Sequence, residues 1–284
     1  MNSAPPTIAQ ALQALTAAGL PRLEAQMLLL HVLDQPTHAR AWLLTHDGEA
    51  LPAATAQRLA ALVERRRAGE PIAYLVGQKA FHGLTLQVDA RVLDPRDDTE
   101  TLVDWALDLL PLATAAAASA TVLDLGTGSG AIALAVAQQR PHARVTAVDA
   151  SADALAVAGA NAQRLGLPVA MRHGSWFAPV AGERFDLILS NPPYIAEGDA
   201  HLPALAHEPR QALVSGADGL DDLRHIVAHA PAHLRAGGWL LLEHGWNQAD
   251  AVRALLNTAG FAQVQSRPDL AGVPRCSGGR WAGR

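Results

Sequence analysis

The tetrapeptide Asn191-Pro192-Pro193-Tyr194 follows an apolar run from Phe185 to Ser190, so a strand should deliver it into a loop. An amide, two residues of fixed φ and an aromatic ring together suit the holding of a planar NH2 group. The Asn191 side-chain oxygen and the Pro192 carbonyl would accept its two N–H bonds, and Tyr194 would stack on its plane. Acceptors placed in this way aim the nitrogen and stabilise positive charge that grows on it as it attacks a carbon. An amide and the exocyclic amine of adenine both fit. The same residues also make a common turn after a strand, so their chemistry depends on what precedes them.

Upstream, Thr121-Val122-Leu123-Asp124-Leu125 runs into Gly126-Thr127-Gly128-Ser129-Gly130, the pattern of a buried strand entering a glycine turn and then a helix. Gly126 and Gly128 let backbone come close to a ligand, and the helix that begins near Gly130 offers its positive end. Asp149 closes the next strand 23 positions after Gly126, where an acidic residue meets ribose hydroxyls in nucleotide-binding folds. The spacing GxGxG differs from the GxGxxG that cradles a dinucleotide pyrophosphate. Asp124, just before the turn, can hold an ammonium group. A ligand with an adenosine, a sulfonium and an amino-acid end, S-adenosylmethionine, meets these requirements. Trp176, in Ser175-Trp176-Phe177 after the third strand, would wall the adenine, though a Trp also fills cores well.

The elements that position these residues fall into two textures. Residues 7 to 70 carry helical periodicity, with Ile8, Leu12 and Leu15, then Ala25, Leu28, Leu29 and Val32, at three-to-four spacing. Pro21, Pro36 and Pro52 punctuate it. The last helix there carries Leu59, Leu62, Val63 and the basic triplet Arg65-Arg66-Arg67, read as a solvated face, before Gly69-Glu70-Pro71. From Tyr74 to Asp98 the pattern alternates, Leu84, Leu86 and Val88 against Thr85, Gln87 and Asp89, as in a strand that links two domains. Arg96, Thr99 and Glu100 read as the cap and first turn of the next helix, with walls of the substrate channel as the alternative since they follow the linker, and the alanine-rich run from Ala113 to Ala120 reads as a helix end.

From Thr121 onward strands and helices alternate. Strands are expected over 121–125, 144–148, 169–172, 185–190 and 239–243, with helices near 130–139, 152–165, 219–235 and 247–259. That order implies an α/β domain with a parallel sheet and right-handed crossovers. Residues 261–266 and 279–281 would add an antiparallel edge.

Length and composition set the outer limits. The 284 residues allow one large domain with a small one, or two of moderate size, and half hydrophobic with 17% charged argues against disorder. No window reaches the ~18 apolar residues of a membrane span, and the first six residues lack the basic start and apolar stretch of a secretory signal. Cys276 stands alone, so no internal disulfide forms, and a cytoplasmic location is expected. With a net charge of -5 and no Lys/Arg block, a folded protein partner fits better than a long nucleic acid. The twelve His residues are dispersed without metal-ligand spacing, so no metal is expected.

Taken in order, Gly69-Glu70-Pro71-Ile72-Ala73-Tyr74-Leu75, Pro95-Arg96 through Asp98-Thr99-Glu100, Asp124 to Gly130, Asp149, Asn191 to Tyr194 and His207-Glu208-Pro209 resemble the PrmC/HemK family, the peptide-chain release factor glutamine methyltransferases, along nearly the whole chain. The resemblance implies a helical substrate-docking domain over 1–76, a β-hairpin linker over 77–100, and a Rossmann-like methyltransferase domain with a seven-stranded, mostly parallel sheet over 101–284. It implies S-adenosyl-L-methionine as methyl donor and S-adenosyl-L-homocysteine as product, with the glutamine of a release-factor Gly-Gly-Gln motif as acceptor. A monomer with no stable nucleic-acid or membrane partner is expected.

Cofactor roles fall on Asp124, Gly126, Thr127, Gly128, Ser129, Gly130, Asp149, Trp176 and Asn191. Substrate roles fall on Asn191, Pro192, Pro193 and Tyr194, with Asn191, Pro192 and Tyr194 at the methyl transfer itself. Asp94, Asp97 and Ser175 depart from the family pattern, and the absent carboxylate at Ser175 removes one expected adenine contact. Two other enzymatic readings share the tetrapeptide: a ribosomal-protein glutamine methyltransferase, against which Asp98-Thr99-Glu100 weighs, and a DNA adenine methyltransferase, against which the acidic balance weighs. A binding module on the same scaffold is the non-enzymatic alternative.

Overall fold

Apolar residues three and four apart make the first unit helical. In the computed structural model, which describes residues 5–110 and 119–283, the chain divides into two compact units, Met1–Gln78 and Lys79–Arg284. The first unit holds α1 (Ile8–Ala17), α2 (Arg22–Val32), α3 (Arg40–Thr45), α4 (Ala53–Arg67) and α5 (Ile72–Val76). Thr7 and Gln10 close a reciprocal capping box at the start of α1, each side chain accepting from the other's backbone amide. Pro21, Pro52 and Pro71 stand at the caps of α2, α4 and α5, where a missing N–H costs nothing. Leu28, Leu29 and Leu30 of α2 are fully buried in the core of this unit.

Here the expectation changes in one place. α4 is not the last helix: Gly69 and Glu70 turn the chain, and α5 buries Ala73, Tyr74, Leu75 and Val76, the last three of which the alternating pattern had assigned to a linker. Gly77, at φ 71, then stops α5 in the left-handed region. The basic triplet is occupied by ion pairs, Arg65 with Glu70, Arg66 with Glu24 of α2 at 2.6 Å and Arg67 with Glu64.

In the second unit, β1 (Gln78–Phe81) and β2 (Leu84–Gln87) form a hairpin. His82 and Gly83, both at positive φ, supply its two-residue turn. A 3-10 turn, Asp97–Thr99, leads into α6 (Glu100–Leu109). The alternation foreseen after Thr121 follows: β3 (Thr121–Leu125), α7 (Ala131–Gln139), β4 (Arg144–Asp149), α8 (Ala152–Leu165), β5 (Val169–His173), β6 (Phe185–Ser190), α9 (Asp221–His233), β7 (Leu234–Glu243), α10 (Ala249–Thr258), β8 (Ala262–Pro268) and β9 (Pro274–Arg280). Residues 113–118 of the alanine-rich run lie outside the described residues.

The seven strands lie in the order β5-β4-β3-β6-β7-β9-β8. β3 to β7 are parallel, and β9 runs antiparallel between β7 and β8. The order reverses between β3 and β6, and open sheets bind ligands beyond the carboxyl ends of their strands at such a point. β7 begins five residues before its apolar run, and β9 begins at Pro274 rather than near Gly279. Gly278 and Gly279 disguise β9 because they are poor strand formers, yet packing demands them. A Cβ on Gly278 would stand 2.5 Å from a Leu241 methyl, and one on Gly279 would stand 2.8 Å from Phe261. Among the described residues no helix is long and apolar enough to cross a membrane.

Candidate active site

Strand register sets the site. Leu125 pairs with Val148 of β4 and with Ser190 of β6, and Ser190 pairs with Leu242 of β7. The next residue on each strand therefore emerges at one level, giving the row Asp149, Gly126, Asn191 and Glu243 across the carboxyl edge of the sheet. Three of these four were expected from sequence; Glu243 was not.

The turn after β3 is held from two sides. Asp124 Oδ2 accepts from the Thr127 hydroxyl at 2.6 Å and from the Ala133 amide at 3.2 Å, tying the turn to the first turn of α7. On the other side, Asp149 Oδ2 accepts from the Gly128 amide at 2.9 Å and Oδ1 from the Ser151 amide at 2.8 Å. Gly126, Gly128 and Gly130 all take positive φ. At Gly130 the φ of 85 strains any side-chain-bearing residue, and a Cβ would also crowd a Leu134 methyl at 2.9 Å and Ala158 at 3.2 Å.

A cavity of about 260 Å³ opens over this turn, lined among others by Gly126, Gly128, Asp149, Trp176, Asn191 and Pro193. The Trp176 ring reaches within 3.6 Å of where a Gly126 Cβ would stand, so it crosses the mouth of the turn while also packing against the core of this unit. Asp124, Thr127, Ser129 and Gly130 do not line it. Asp124 is wholly buried, Oδ1 has no partner among the described residues, and burial pushes its carboxyl up to about 7. From beneath the turn it braces Thr127 and the first turn of α7.

A second cavity of about 160 Å³ lies beside the first and is lined by Arg96, Tyr194, Ile195, Leu205 and Leu213. Leu93, Asn191 and Ala212 line both, so Asn191 stands in the wall between them. Asn191 Nδ2 donates to the Thr99 hydroxyl at 3.2 Å, which leaves Oδ1 to accept from another group. Pro192 is buried behind it. The Tyr194 hydroxyl donates to Glu243 Oε1 at 3.2 Å, and burial and that carboxyl drive its pKa far above the phenolic range. Gln248 Nε2 donates to the Tyr194 carbonyl at 3.0 Å and fixes the loop.

Thr99 therefore does not cap α6, for its side chain makes no capping bond there. The helix-start reading was preferred in the sequence, because Thr before an acidic residue is its ordinary signature, and the bond to Asn191 has no local pattern. Arg96 is a clamp: its guanidinium bonds to Glu208 Oε1 and lies 3.5 Å from Asp94, while Glu208 Oε2 accepts from the Asp94 amide at 3.1 Å. Of the unusual residues, Asp94 thus joins the clamp, Asp97 pairs with Lys79 at 2.9 Å, and Ser175 lines the larger cavity. Among the described residues no group of three His, Cys, Asp or Glu could hold a metal ion.

Two protein families match this chain: the PrmC N-terminal domain over residues 7–77 and the methyltransferase small domain over residues 99–265. The release factor glutamine methyltransferase of Xylella fastidiosa (strain Temecula1) is 51% identical over 276 residues, covering 96% of this chain and 98% of its own. That of Bordetella pertussis is 52% identical over 264 residues, covering 92% and 95%. Among solved structures, a methyltransferase from Pyrococcus furiosus superposes with a TM-score of 0.54 at 20% identity, over 78% of this chain and 100% of that one. A T. thermophilus 16S rRNA methyltransferase in complex with AdoMet and guanosine superposes with a TM-score of 0.52 at 20% identity, over 72% of this chain and 49% of that one. At such identity these two establish the methyltransferase fold alone.

Proposed function

The chain belongs to the PrmC family of release factor glutamine methyltransferases, and on that premise we propose that it methylates the side-chain amide nitrogen of the glutamine in a release factor's Gly-Gly-Gln motif. The observation that carries the site assignment is the position of Asn191 in the wall shared by two cavities, its NH2 tied back to Thr99.

The larger cavity fits S-adenosylmethionine. Gly126 brings bare backbone to its floor, Trp176 offers an aromatic wall to an adenine, and Asp149 keeps a lone pair on each oxygen for ribose hydroxyls after its two backbone bonds. S-adenosylmethionine supplies a methyl carbon on a sulfonium, so the amide nitrogen gains a C–N bond and S-adenosylhomocysteine departs. The smaller cavity receives the glutamine side chain. Asn191 Oδ1 and the Pro192 carbonyl accept its two N–H bonds, fix the amide plane and stabilise the positive charge that builds on a weakly nucleophilic nitrogen. Tyr194, pinned through its hydroxyl, presents its ring to that plane. The N-methylated amide is acidic and sheds its proton without a dedicated base. The chemistry calls for no metal. The partner is the folded release factor, met by a monomeric enzyme in the cytoplasm.

The deciding experiment offers labelled methyl donor with intact release factor, ribosomal protein and DNA side by side. Transfer to release factor is expected, and loss of transfer in Asn191→Ala with cofactor binding retained. Preferential labelling of ribosomal protein or of DNA adenine would replace the acceptor assignment, and normal turnover by Asn191→Ala would remove the tetrapeptide from the mechanism.

A further inference from the structure

Gln248 stands at the N-cap of α10, yet its side chain makes no capping bond there. Ser, Thr, Asp or Asn would serve that position better, because a short side chain reaches the free amides of the first turn. The Gln248 side chain turns elsewhere: the residue is only 9% exposed, and its carboxamide meets three segments that are separate in the chain.

Both polar atoms of that carboxamide have backbone partners. Oε1 accepts from the Gly245 amide at 2.8 Å, and Nε2 donates to the Tyr194 carbonyl at 3.0 Å and to the Gly219 carbonyl at 3.3 Å. A backbone N–H only donates and a carbonyl only accepts, so the carboxamide has a single orientation. The Gln248 backbone amide returns a bond to the Gly245 carbonyl at 2.9 Å, and His244 ties the same turn to Ser277 of β9 at 2.8 Å. The approach is close as well as polar. A Cβ on Gly219 would stand 2.3 Å from the Tyr194 carbonyl oxygen and 2.9 Å from Nε2.

This clasp holds the far end of the tetrapeptide. Just beyond it, Ile195 donates to Leu213 and accepts from Ser215, each at 2.9 Å. Tyr194 is thereby fixed at two ends, its hydroxyl on Glu243 and its carbonyl on Gln248. Between Tyr194 and the end of β6 at Ser190 lie Asn191, Pro192 and Pro193, two of them of fixed φ, so a shift at Tyr194 passes back to the Pro192 carbonyl. We infer that Gln248 is a positioning residue for the acceptor site: by bridging the Gly245 amide to the Tyr194 and Gly219 carbonyls, it holds the Tyr194 ring and the Pro192 carbonyl where the incoming amide must meet them. Gln248 lines neither cavity, so it acts through Tyr194. The inference rests on the methyl-transfer reading above.

The test uses the full-length enzyme, intact release factor and saturating methyl donor. Gln248→Met keeps the length and loses both donor and acceptor; its kcat should fall about 100-fold, as misplacement of a reacting group does, with the dissociation constant of S-adenosylhomocysteine unchanged. Gln248→Glu separates the bonds from the packing. Its ionised carboxylate still accepts from Gly245 but sets an oxygen against two carbonyls, whereas the protonated acid can again donate to Tyr194. Burial and the facing carbonyls favour the protonated form. Asp218, Asp221, Asp222, Glu243 and Asp250, on the segments that meet it, outnumber Arg224 and Arg253 and act in the same sense.

The ratio of the Gln248→Glu kcat to the wild-type kcat should therefore rise about tenfold as pH falls from about 8 to about 6, while the ratio for Gln248→Met stays flat. Taking the ratio at each pH cancels the titrations that the enzymes share. Wild-type kcat in Gln248→Met would overturn the inference, and so would a Gln248→Glu ratio that is low and flat, since the loss would then be one of packing. If Gln248→Glu does not fold, Gly219→Ala decides: its Cβ drives the Tyr194 carbonyl off Nε2, so kcat should fall with S-adenosylhomocysteine still bound, and full turnover would overturn the inference. If the wild type labels no release factor, the reaction assignment fails separately. The clasp is then read from the ring resonances of Tyr194, one of two tyrosines in the chain, which should move between the wild type and Gln248→Met at one pH; coincident resonances would overturn it.

Discussion

Asp149 accepts the Gly128 amide at 2.9 Å, which joins the end of β4 to the glycine turn after β3 before any ligand arrives. Its other oxygen accepts from Ser151 at the start of α8, so the carboxylate is aimed by two backbone groups and cannot swing away. A carboxylate fixed in that way donates most of its binding energy to whatever hydroxyls meet it. Asp149→Ala should weaken S-adenosylhomocysteine binding about 10- to 100-fold, the equivalent of roughly 1.5–3 kcal/mol for hydrogen bonds to a charged group. Calorimetry checks this, and an unchanged dissociation constant would place the ribose elsewhere.

The clamp beside the second cavity gives an asymmetric expectation. The Glu208 side chain is 2% exposed, whereas that of Arg96 is 37% exposed. Removing Arg96 strands a buried carboxylate that also holds the Asp94 amide; removing the Glu208 charge leaves a guanidinium that can turn to water. Arg96→Met should therefore cost about 3 kcal/mol of unfolding free energy and Glu208→Gln about 1 kcal/mol. Urea midpoints of the two variants measure the difference, and a larger loss in Glu208→Gln would contradict it.

The order of these two cases reflects what a sequence can carry. Strand and helix alternation, the GxGxG turn and Asn-Pro-Pro-Tyr are local patterns, and every strand from β3 to β7 lies where the apolar runs placed it, apart from the early start of β7. Thr99 was hidden because a Thr before an acidic residue reads as a helix start, and Glu243 because an acidic residue after Leu240-Leu241-Leu242 reads as a strand end; only the β6–β7 pairing brings Glu243 next to Asn191. Gly278 and Gly279 hid β9 for a related reason, since what they fit is the packing of Leu241 and Phe261 and not a strand propensity. Asp124 was legible as an acidic residue before a turn, but its depth, and the two bonds by which it braces that turn, were not.

That burial has a consequence for stability against pH. The Asp124 carboxyl, near 4 when unfolded, is raised to about 7 in the fold. The native state therefore binds more protons than the unfolded state between those values, so this group's contribution is full below the lower one and is lost as pH rises toward the upper. Asp124→Asn removes that term. The unfolding free energy of the wild type minus that of Asp124→Asn should fall by about 1.4 kcal/mol per pH unit from about pH 5 to 7 and level off above it. The subtraction cancels the histidines, His244 and His31 included, whose lowered pKa values act in the opposite sense. Urea melts at four pH values measure the slope, and a flat difference would mean that Asp124 is ionised throughout.

Trp176 separates binding from backbone strain. It sits at φ 46, in the left-handed region that costs a side-chain-bearing residue roughly 1–2 kcal/mol, while its ring crosses the Gly126 turn. The ring packs against the core and lines the larger cavity at once, and holding it in both places offsets the local backbone cost. Trp176→Ala and Trp176→Gly both remove the ring, so both should weaken S-adenosylhomocysteine binding by a similar factor of about 10, in line with the worth of an aromatic contact. Their stabilities should differ, since glycine accepts the positive φ and alanine does not. Trp176→Gly should unfold about 1 kcal/mol later than Trp176→Ala, the reverse of the order expected wherever φ is negative. Thermal melts without ligand, set beside titrations with it, would show both effects, and equal melting points would place the ring's constraint in its packing alone.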